Sequence, residues 1–220
     1  NFLLSVTHEL KSPLAAVKLF LQTIAKRELA RDKQIELSAK ALEESQRLDQ
    51  LIENILLLNR MESPEFALQR EVLNLSETVA ESIERYKAIV PAPFEWVVHI
   101  EQKVFANVDI QALNSILSNL FENAWNYAGK GKYIRVEVLN EKSDAVIRVS
   151  DKGPGIPDEE KNKVFNRFYR SGSEDIRKTK GTGLGLFIVR NLIRSMNGRI
   201  LIKDNQPHGC TFEIRFKTSI

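Results

Sequence analysis

Four groups of residues in this chain have the types and spacing to do chemistry. His8 stands in Val6-Thr7-His8-Glu9-Leu10-Lys11-Ser12-Pro13-Leu14, amid an apolar repeat. An imidazole on a helix flank is either an ordinary titrating surface group or a nucleophile, largely neutral at pH 7. Asn119, Asn123 and Asn126 share one flank of a later helix, with Tyr127 nearby. Asn disfavours helix interiors. Three of them are either a polar flank or amide oxygens placed as hard donors for Mg2+, which takes the rest of its shell from phosphates and water. Asp151-Lys152-Gly153-Pro154-Gly155 follows a strand. Such an Asp forms a turn, or it accepts a hydrogen bond from the exocyclic amine of adenine while the glycines let the base lie against backbone. Gly181-Thr182-Gly183-Leu184-Gly185 feeds directly into a helix, behind Arg177, Lys178 and Lys180. That arrangement brings N–H groups and the positive end of a helix dipole to an anion.

The elements that must position these groups are of two kinds. Leu3, Leu10, Leu14, Val17, Leu21 and Ile24, with Thr7 in the open slot, predict a helix over 1–27 with a packing seam. His8 falls just off that seam, Ser12 lies one turn along the same face, and Pro13 is expected to bend the helix. Ala41, Leu48, Leu51, Ile52, Ile55 and Leu58 predict a second helix over 33–62, joined to the first by a short link at Leu29–Asp32. A hairpin with so wide a stripe cannot bury it alone, so pairing with a second copy into a four-helix bundle is expected.

Ser63-Pro64 ends this region, and strands then alternate with helices. Val72–Leu75 reads as a strand and Ser76–Val90 as a helix broken by Pro91 and Pro93, after which Phe94–Ile100 and Lys103–Asn107 read as a strand pair. Asp109 caps a helix whose buried stripe is Leu113, Ile116, Leu117, Leu120 and Ala124, stopped by Gly129 and Gly131. Strands at Ile134–Val138 and Ala145–Val149 lead to Asp151. A short helix is expected at Asp158–Phe168, a polar mobile stretch at Ser171–Lys180, and a helix from the glycine run to Met196, closed by Asn197-Gly198. Strands at Arg199–Asp204 and Cys210–Lys217 finish the chain, with Cys210 read as an inert core residue.

Composition sets outer bounds. The 220 residues are 43% hydrophobic and 28% charged, with a net charge of +3, as in an ordinary soluble protein of one or two domains. Nothing in that balance calls for nucleic acid or an anionic membrane. One cysteine excludes an internal disulfide and suits a reducing compartment. No apolar run approaches the ~20 residues that span a bilayer. The chain opens in mid-helix without a starting Met, and reads as the soluble end of a longer protein.

In combination, these motifs resemble those of the sensor histidine kinases of two-component signalling. His8-Glu9-Leu10-Lys11-Ser12-Pro13-Leu14 resembles the phosphoacceptor box, and Asn119-Leu-Phe-Glu-Asn123-Ala the asparagine box. Asp151-Lys-Gly153-Pro-Gly155-Ile is similar to the first glycine box, Val164-Phe-Asn-Arg-Phe168-Tyr169-Arg170 to the phenylalanine box, and Gly181-Thr-Gly-Leu-Gly-Leu to the second glycine box. The resemblance implies a dimeric helical hairpin over 1–63, followed over 64–220 by an ATP-binding α/β two-layer sandwich of the gyrase and histidine-kinase type. It implies His8 as phosphoacceptor, grouped with Glu9 and Ser12 as catalytic. It implies an ATP site of Asn119, Asn123, Asn126, Tyr127, Asp151, Gly153, Gly155, Phe168, Arg170, Lys180, Gly181, Thr182, Gly183, Leu184 and Gly185. Asn123 would hold Mg2+ through phosphates and water. It further implies a homodimer, a response-regulator receiver domain as partner, and a cytoplasmic position, any inner-membrane anchor lying outside this stretch.

Three positions depart from the family's pattern. Asn126 stands where Lys or Arg is frequent, Lys180 where another Gly is common, and Ser12 where Thr or Asn is usual. Two rival functions are an ATP hydrolase of the gyrase type and a signalling scaffold without activity. Gyrase-type relatives carry a Glu four residues before the metal-binding Asn, as general base. Here that position is Asn119, an amide without useful basicity, which disfavours hydrolysis as the main activity.

Overall fold

A computed structural model of the chain describes residues 2–63, 66–90, 94–127, 132–170 and 183–219; the side chains of Phe2, Leu3, Ser5 and His8 lie outside the description. The expected breaks at Pro91, Pro93, Gly129 and Gly131 and the stretch Ser171–Lys180 also fall outside the described residues. The chain divides into two compact units, Asn1–Phe66 and Ala67–Ile220.

The first unit is a hairpin of α1 (Phe2–Lys26) and α2 (Arg31–Glu62). Helix α1 continues through Pro13, which is buried. Its inner seam is Val6, Leu10, Pro13, Val17, Phe20 and Ile24, spaced by alternating steps of four and three, and each is buried or half-buried. Leu37, Ala41, Glu44, Leu51, Asn54 and Leu58 are the buried positions of α2. The seam expected from sequence is corrected by one position. Leu10, Val17 and Ile24 belong to it, but Leu14 and Leu21 are 56% and 54% exposed, and Ile52 of α2 is 41% exposed. Two adjacent heptad-like stripes share these helices, and a single hairpin closes only one of them.

The second unit has five strands in the order β2-β4-β5-β7-β6, formed by β2 (Glu95–Ile100), β4 (Tyr133–Glu141), β5 (Asp144–Asp151), β6 (Arg199–Asp204) and β7 (Cys210–Lys217). Strands β2 and β4 are parallel, and the other pairs are antiparallel. A separate antiparallel ribbon joins β1 (Glu71–Asn74) to β3 (Phe105–Val108). Helices α3 (Leu75–Ile89), α4 (Ile110–Tyr127) and α5 (Gly185–Ser195) complete an α/β fold with one core. Leu113, Ile116, Leu117 and Leu120 of α4 are fully buried, as are Ile134, Val136 and Val138 of β4, Ile147 of β5, Ile214 of β7 and Ile188 and Ile193 of α5. Asp109 starts α4 as expected, Oδ1 accepting from the Ala112 N–H at 2.9 Å, while its Oδ2 accepts from the Gln69 N–H at 2.7 Å. The end of α5 also follows the sequence: Asn197 takes φ 58° and the Gly198 N–H donates to Ile193 O at 2.8 Å.

Two expectations fail. The strands at 95–100 and 105–108 do not pair with each other; the first lies beside β4 and the second beside β1. The Ser76 hydroxyl explains the divergence. It donates to Glu101 O at 2.6 Å and accepts from the Val104 N–H at 3.1 Å, which clips the connection to the start of α3 and redirects the chain. Nor is there a continuous helix over 158–168: hydrogen-bonded turns run over 158–162 and a 3-10 turn forms at Lys163–Phe165. Only Val164 and Phe165 of this stretch are buried, too little apolar surface for a helix to pack, and Phe168 at φ 58° ends it.

One face of the sheet carries an ion cluster rather than a helix-facing core. Glu213 is fully enclosed, its carboxylate accepting from Arg148 Nε at 2.6 Å, Lys203 Nζ at 2.6 Å and Arg215 Nε at 2.8 Å. Glu141 ties Arg148 to Arg215 as well. Burial pushes the Glu213 carboxyl up, but the three cations outweigh it and hold it down at about 2. A carboxyl depressed by folding adds stability at pH above its unfolded value near 4.5, and this is lost as pH falls toward 2. Glu213→Gln, which leaves buried cations short of a counter-charge, is expected to destabilise the fold by about 3 kcal/mol near pH 7, with the difference from the parent shrinking below pH 4.5 and closing near pH 2. Urea unfolding followed by Trp96 and Trp125 fluorescence measures it, because both tryptophans lie in this unit.

Candidate functional site

Helix α4 forms one wall of the site. Its inner face is apolar, and Asn119, Asn123, Asn126 and Tyr127 lie half-buried along the margin of that face. Asn119 Nδ2 donates back to Ser115 O at 2.8 Å. Its Oδ1 faces the start of α5 so closely that a Cβ on Gly185 would lie 2.5 Å away. Two turns further on, a Cβ on Gly153 would lie 2.3 Å from the Tyr127 carbonyl oxygen. Both glycine motifs therefore meet the same helix, about 12 Å apart at 1.5 Å per residue, with Asn123 midway between them.

Asp151 ends β5 and is 2% exposed. Its Oδ1 accepts from the Gly153 N–H at 2.8 Å, Cys210 Sγ lies 3.0 Å from its Oδ2, and its carbonyl accepts from Asn205 Nδ2 at 2.7 Å. Cys210 is thus buried as expected, and its sulfur also lies against the Asp151 carboxylate. Gly155 follows at φ 77°. Burial raises the Tyr127 hydroxyl above its ordinary range, and the Arg170 charge draws it partly back, which sets Arg170 near the end of α4.

At the other end, α5 begins at Gly185, directly after Leu184, whose own side chain offers it no cap. Such a helix start presents N–H groups and positive potential to an anion. Gly183 O accepts from the Phe168 N–H at 2.9 Å, so the phenylalanine-box segment is joined to the glycine run. Arg190 strengthens that junction: its Nη2 donates to Phe165 O at 2.9 Å and its guanidinium lies 5.3 Å from the Phe165 ring. Arg167 answers from the other side, 4.6 Å from the Phe187 ring. The contacts of Arg190, Asn205 and Cys210 were not foreseen from the sequence. The Cys210 signal lay in strand register: Ser150 pairs with Thr211, which sets residue 210 next to residue 151.

Among the described residues no group of three or more His, Cys, Asp or Glu could hold a metal ion. A half-buried Asn123 amide fits a hard cation carried chiefly by phosphates and water, not a closed protein cage. Lys180, Gly181 and Thr182 lie outside the described residues. His8, Glu9 and Ser12 are carried by α1 in the other unit; Glu9 is half-buried and Ser12, one turn after His8, is exposed.

Residues 1–64 match the His Kinase A (phospho-acceptor) domain, and residues 108–220 match the histidine kinase-, DNA gyrase B- and HSP90-like ATPase family. The chain is 29% identical to the sensor protein KdpD of Clostridium acetobutylicum over 97% of its own length and 24% of that protein. It is 27% identical to the sensor histidine kinase WalK of Bacillus subtilis over 96% of its length and 35% of that protein. It thus spans about a quarter to a third of these curated relatives. In fold it is similar to the histidine kinase ThkA, solved in complex with the response regulator protein TrrA, with TM-score 0.77 and 22% identity over 97% of this chain and 60% of that one. No described helix is long and apolar enough to cross a membrane.

The close approach at Gly153 generates a prediction. Gly153→Ala must displace either the turn or the end of α4, because the Tyr127 oxygen is backbone and cannot rotate away. The expected cost is about 1–3 kcal/mol of stability, together with at least tenfold weaker ATP binding. Thermal unfolding and titration calorimetry measure the two, and an unchanged affinity would show that the turn and α4 do not bound the site.

Proposed function

Because the chain belongs to the sensor histidine kinases of two-component systems, we propose that it transfers the γ-phosphoryl group of ATP to His8 and then to an aspartate of a response-regulator receiver domain. The observation that carries this reading is the convergence on α4: an enclosed carboxylate and its glycine turn at one end, a glycine-led helix start against Asn119 at the other, and asparagines between. Asp151 accepts from the adenine amine, with Gly153, Gly155 and Tyr127 around the base. Gly183, Leu184 and Gly185, with Lys180, Gly181 and Thr182 before them, take the phosphates. Phe168 and Arg170 flank that loop, and Asn119 and Asn126 complete the α4 side. Asn123 would hold Mg2+ through phosphates and water, and the ion would supply neutralising charge to the transferring group.

A ring nitrogen of His8 attacks the γ-phosphorus in line. A P–N bond forms, the bond to the β–γ bridging oxygen breaks, and ADP leaves. Asn119 cannot take a proton from water, so ATP waits for the histidine instead of being hydrolysed. The apolar positions left exposed on the hairpin, among them Leu14, Leu21, Leu42, Ile52 and Leu56, suit a second copy of the chain in a four-helix homodimer. A receiver-domain partner is supported by the similar kinase ThkA, which was solved with a response regulator. The chain would work in the cytoplasm.

Incubation with γ-labelled ATP and Mg2+ tests the assignment. The expected label is lost in acid and kept in alkali, as a phosphoramidate requires. His8→Gln should abolish it with ATP affinity within about twofold; undiminished label on that variant would sink the reading.

We further propose that the chain dephosphorylates its regulator, with Ser12 orienting the attacking water. Its exposed hydroxyl can accept from water and donate elsewhere, one turn from His8. Ser12→Ala is expected to slow phosphate loss from the regulator in ADP, with His8 phosphorylation kept within a few-fold. A parallel fall in both activities would make Ser12 structural.

A further inference from the structure

The connection between β6 and β7 folds back onto the end of β5. Asn205 is held by its own N–H on Gly209 O at 3.0 Å, and its amide donates to the Asp151 carbonyl. One residue beyond Gly209, the Cys210 sulfur reaches Asp151 Oδ2 at 3.0 Å, with Cys210 and Asp151 only 4% and 2% exposed. The other carboxylate oxygen accepts from the Gly153 N–H at 2.8 Å. Each oxygen therefore has one protein donor and keeps lone-pair capacity for another. A thiol is a weak donor, but only while it keeps its proton. Burial, and then the Asp151 carboxylate itself, raise Cys210 well above the ordinary thiol range, so the sulfur stays protonated and donates.

We propose that Cys210 is a positioning residue for nucleotide recognition: its S–H fixes the rotation of the Asp151 carboxylate, so that the remaining lone pairs face the exocyclic amine of adenine. The proposal rests on Asp151 as the adenine acceptor. Torsional freedom at a carboxylate is broad and two-fold, so a single backbone donor at Oδ1 leaves the group free to rock. A second donor at Oδ2 removes that freedom before the base arrives, and preorganised groups bind more tightly because less ordering remains to be done. The competing view is that Cys210 only fills volume in the inward row with Phe212, Ile214 and Phe216.

Substitutions that separate donor from volume decide between these. Cys210→Ser keeps a donor, Cys210→Val keeps apolar volume without one, and Asp151→Asn tests the acceptor. In calorimetry with ATP and GTP, Cys210→Val is expected to weaken ATP about three- to tenfold while GTP changes little. Cys210→Ser should stay within about twofold of the parent, and Asp151→Asn should lose ten- to a hundredfold for ATP. Because the chain has one cysteine, its S–H infrared band is a direct readout. The band should be shifted in the folded protein and relax toward that of a free thiol in Asp151→Ala. Wild-type ATP affinity and ATP-over-GTP preference in Cys210→Val, beside a loss in Asp151→Asn, would overturn the proposal and leave Asp151 in its role. Equal weakening by Ser and Val would overturn it too. Unchanged preference in Asp151→Asn would remove both. An unshifted S–H band in the parent overturns it even if Cys210→Val does not fold.

Discussion

How near backbone can come to α4 is the constraint on which the rest of the ATPase unit depends. The turn after β5 reaches the Tyr127 carbonyl at a distance no side chain would allow, and the start of α5 lies hard against the Asn119 amide. The same helix provides much of the core through Leu113, Ile116, Leu117, Leu120 and Phe121. Its apolar face sets where the sheet lies, and its asparagine margin sets where a ligand can lie. A small rotation of α4 would therefore disturb core and site together. That coupling explains how asparagines of poor helix propensity are accommodated: the buried face more than offsets their cost.

Much of this was legible because the strongest signals are local. Alternation in Ile134–Val138, the stripe from Leu113 to Ala124, the Asp109 cap and the Asn197-Gly198 stop each depend on neighbours in the chain, and the structure realises them. Where the sequence misled, a distant residue decided. The Ser76 hydroxyl separates two strands that look like a hairpin, and nothing near residues 94–107 encodes it. The helix expected at 158–168 had too little apolar surface to pack. In α1 the repeat was correct and half of the seam with it, Leu10, Val17 and Ile24 being covered while Leu14 and Leu21 are not, since a 3.5-residue period fits two adjacent stripes equally well. Of the site, the motifs on single elements could be read directly. Cys210 and Asn205 could not, because their meaning comes from strand register and a folded-back loop.

The two units are also held together by different means. The sheet unit combines a dense apolar core with an enclosed anion, Glu213, neutralised from three sides by cations on β5, β6 and β7. The hairpin has a narrow inner seam in which Glu44 and Asn54 take two of the buried positions. Among its described side chains, only Leu51 and Leu58 are as enclosed as the core of the other unit. For one copy of the chain, local opening should therefore be far easier in the helices than in the sheet. Backbone amides of α1 would exchange with solvent deuterium early, and those of β5 and β7 late. In one copy of the chain, the helix bearing His8 is thus less firmly held than the sheet, and a helix of low local stability can be displaced by modest forces from outside it.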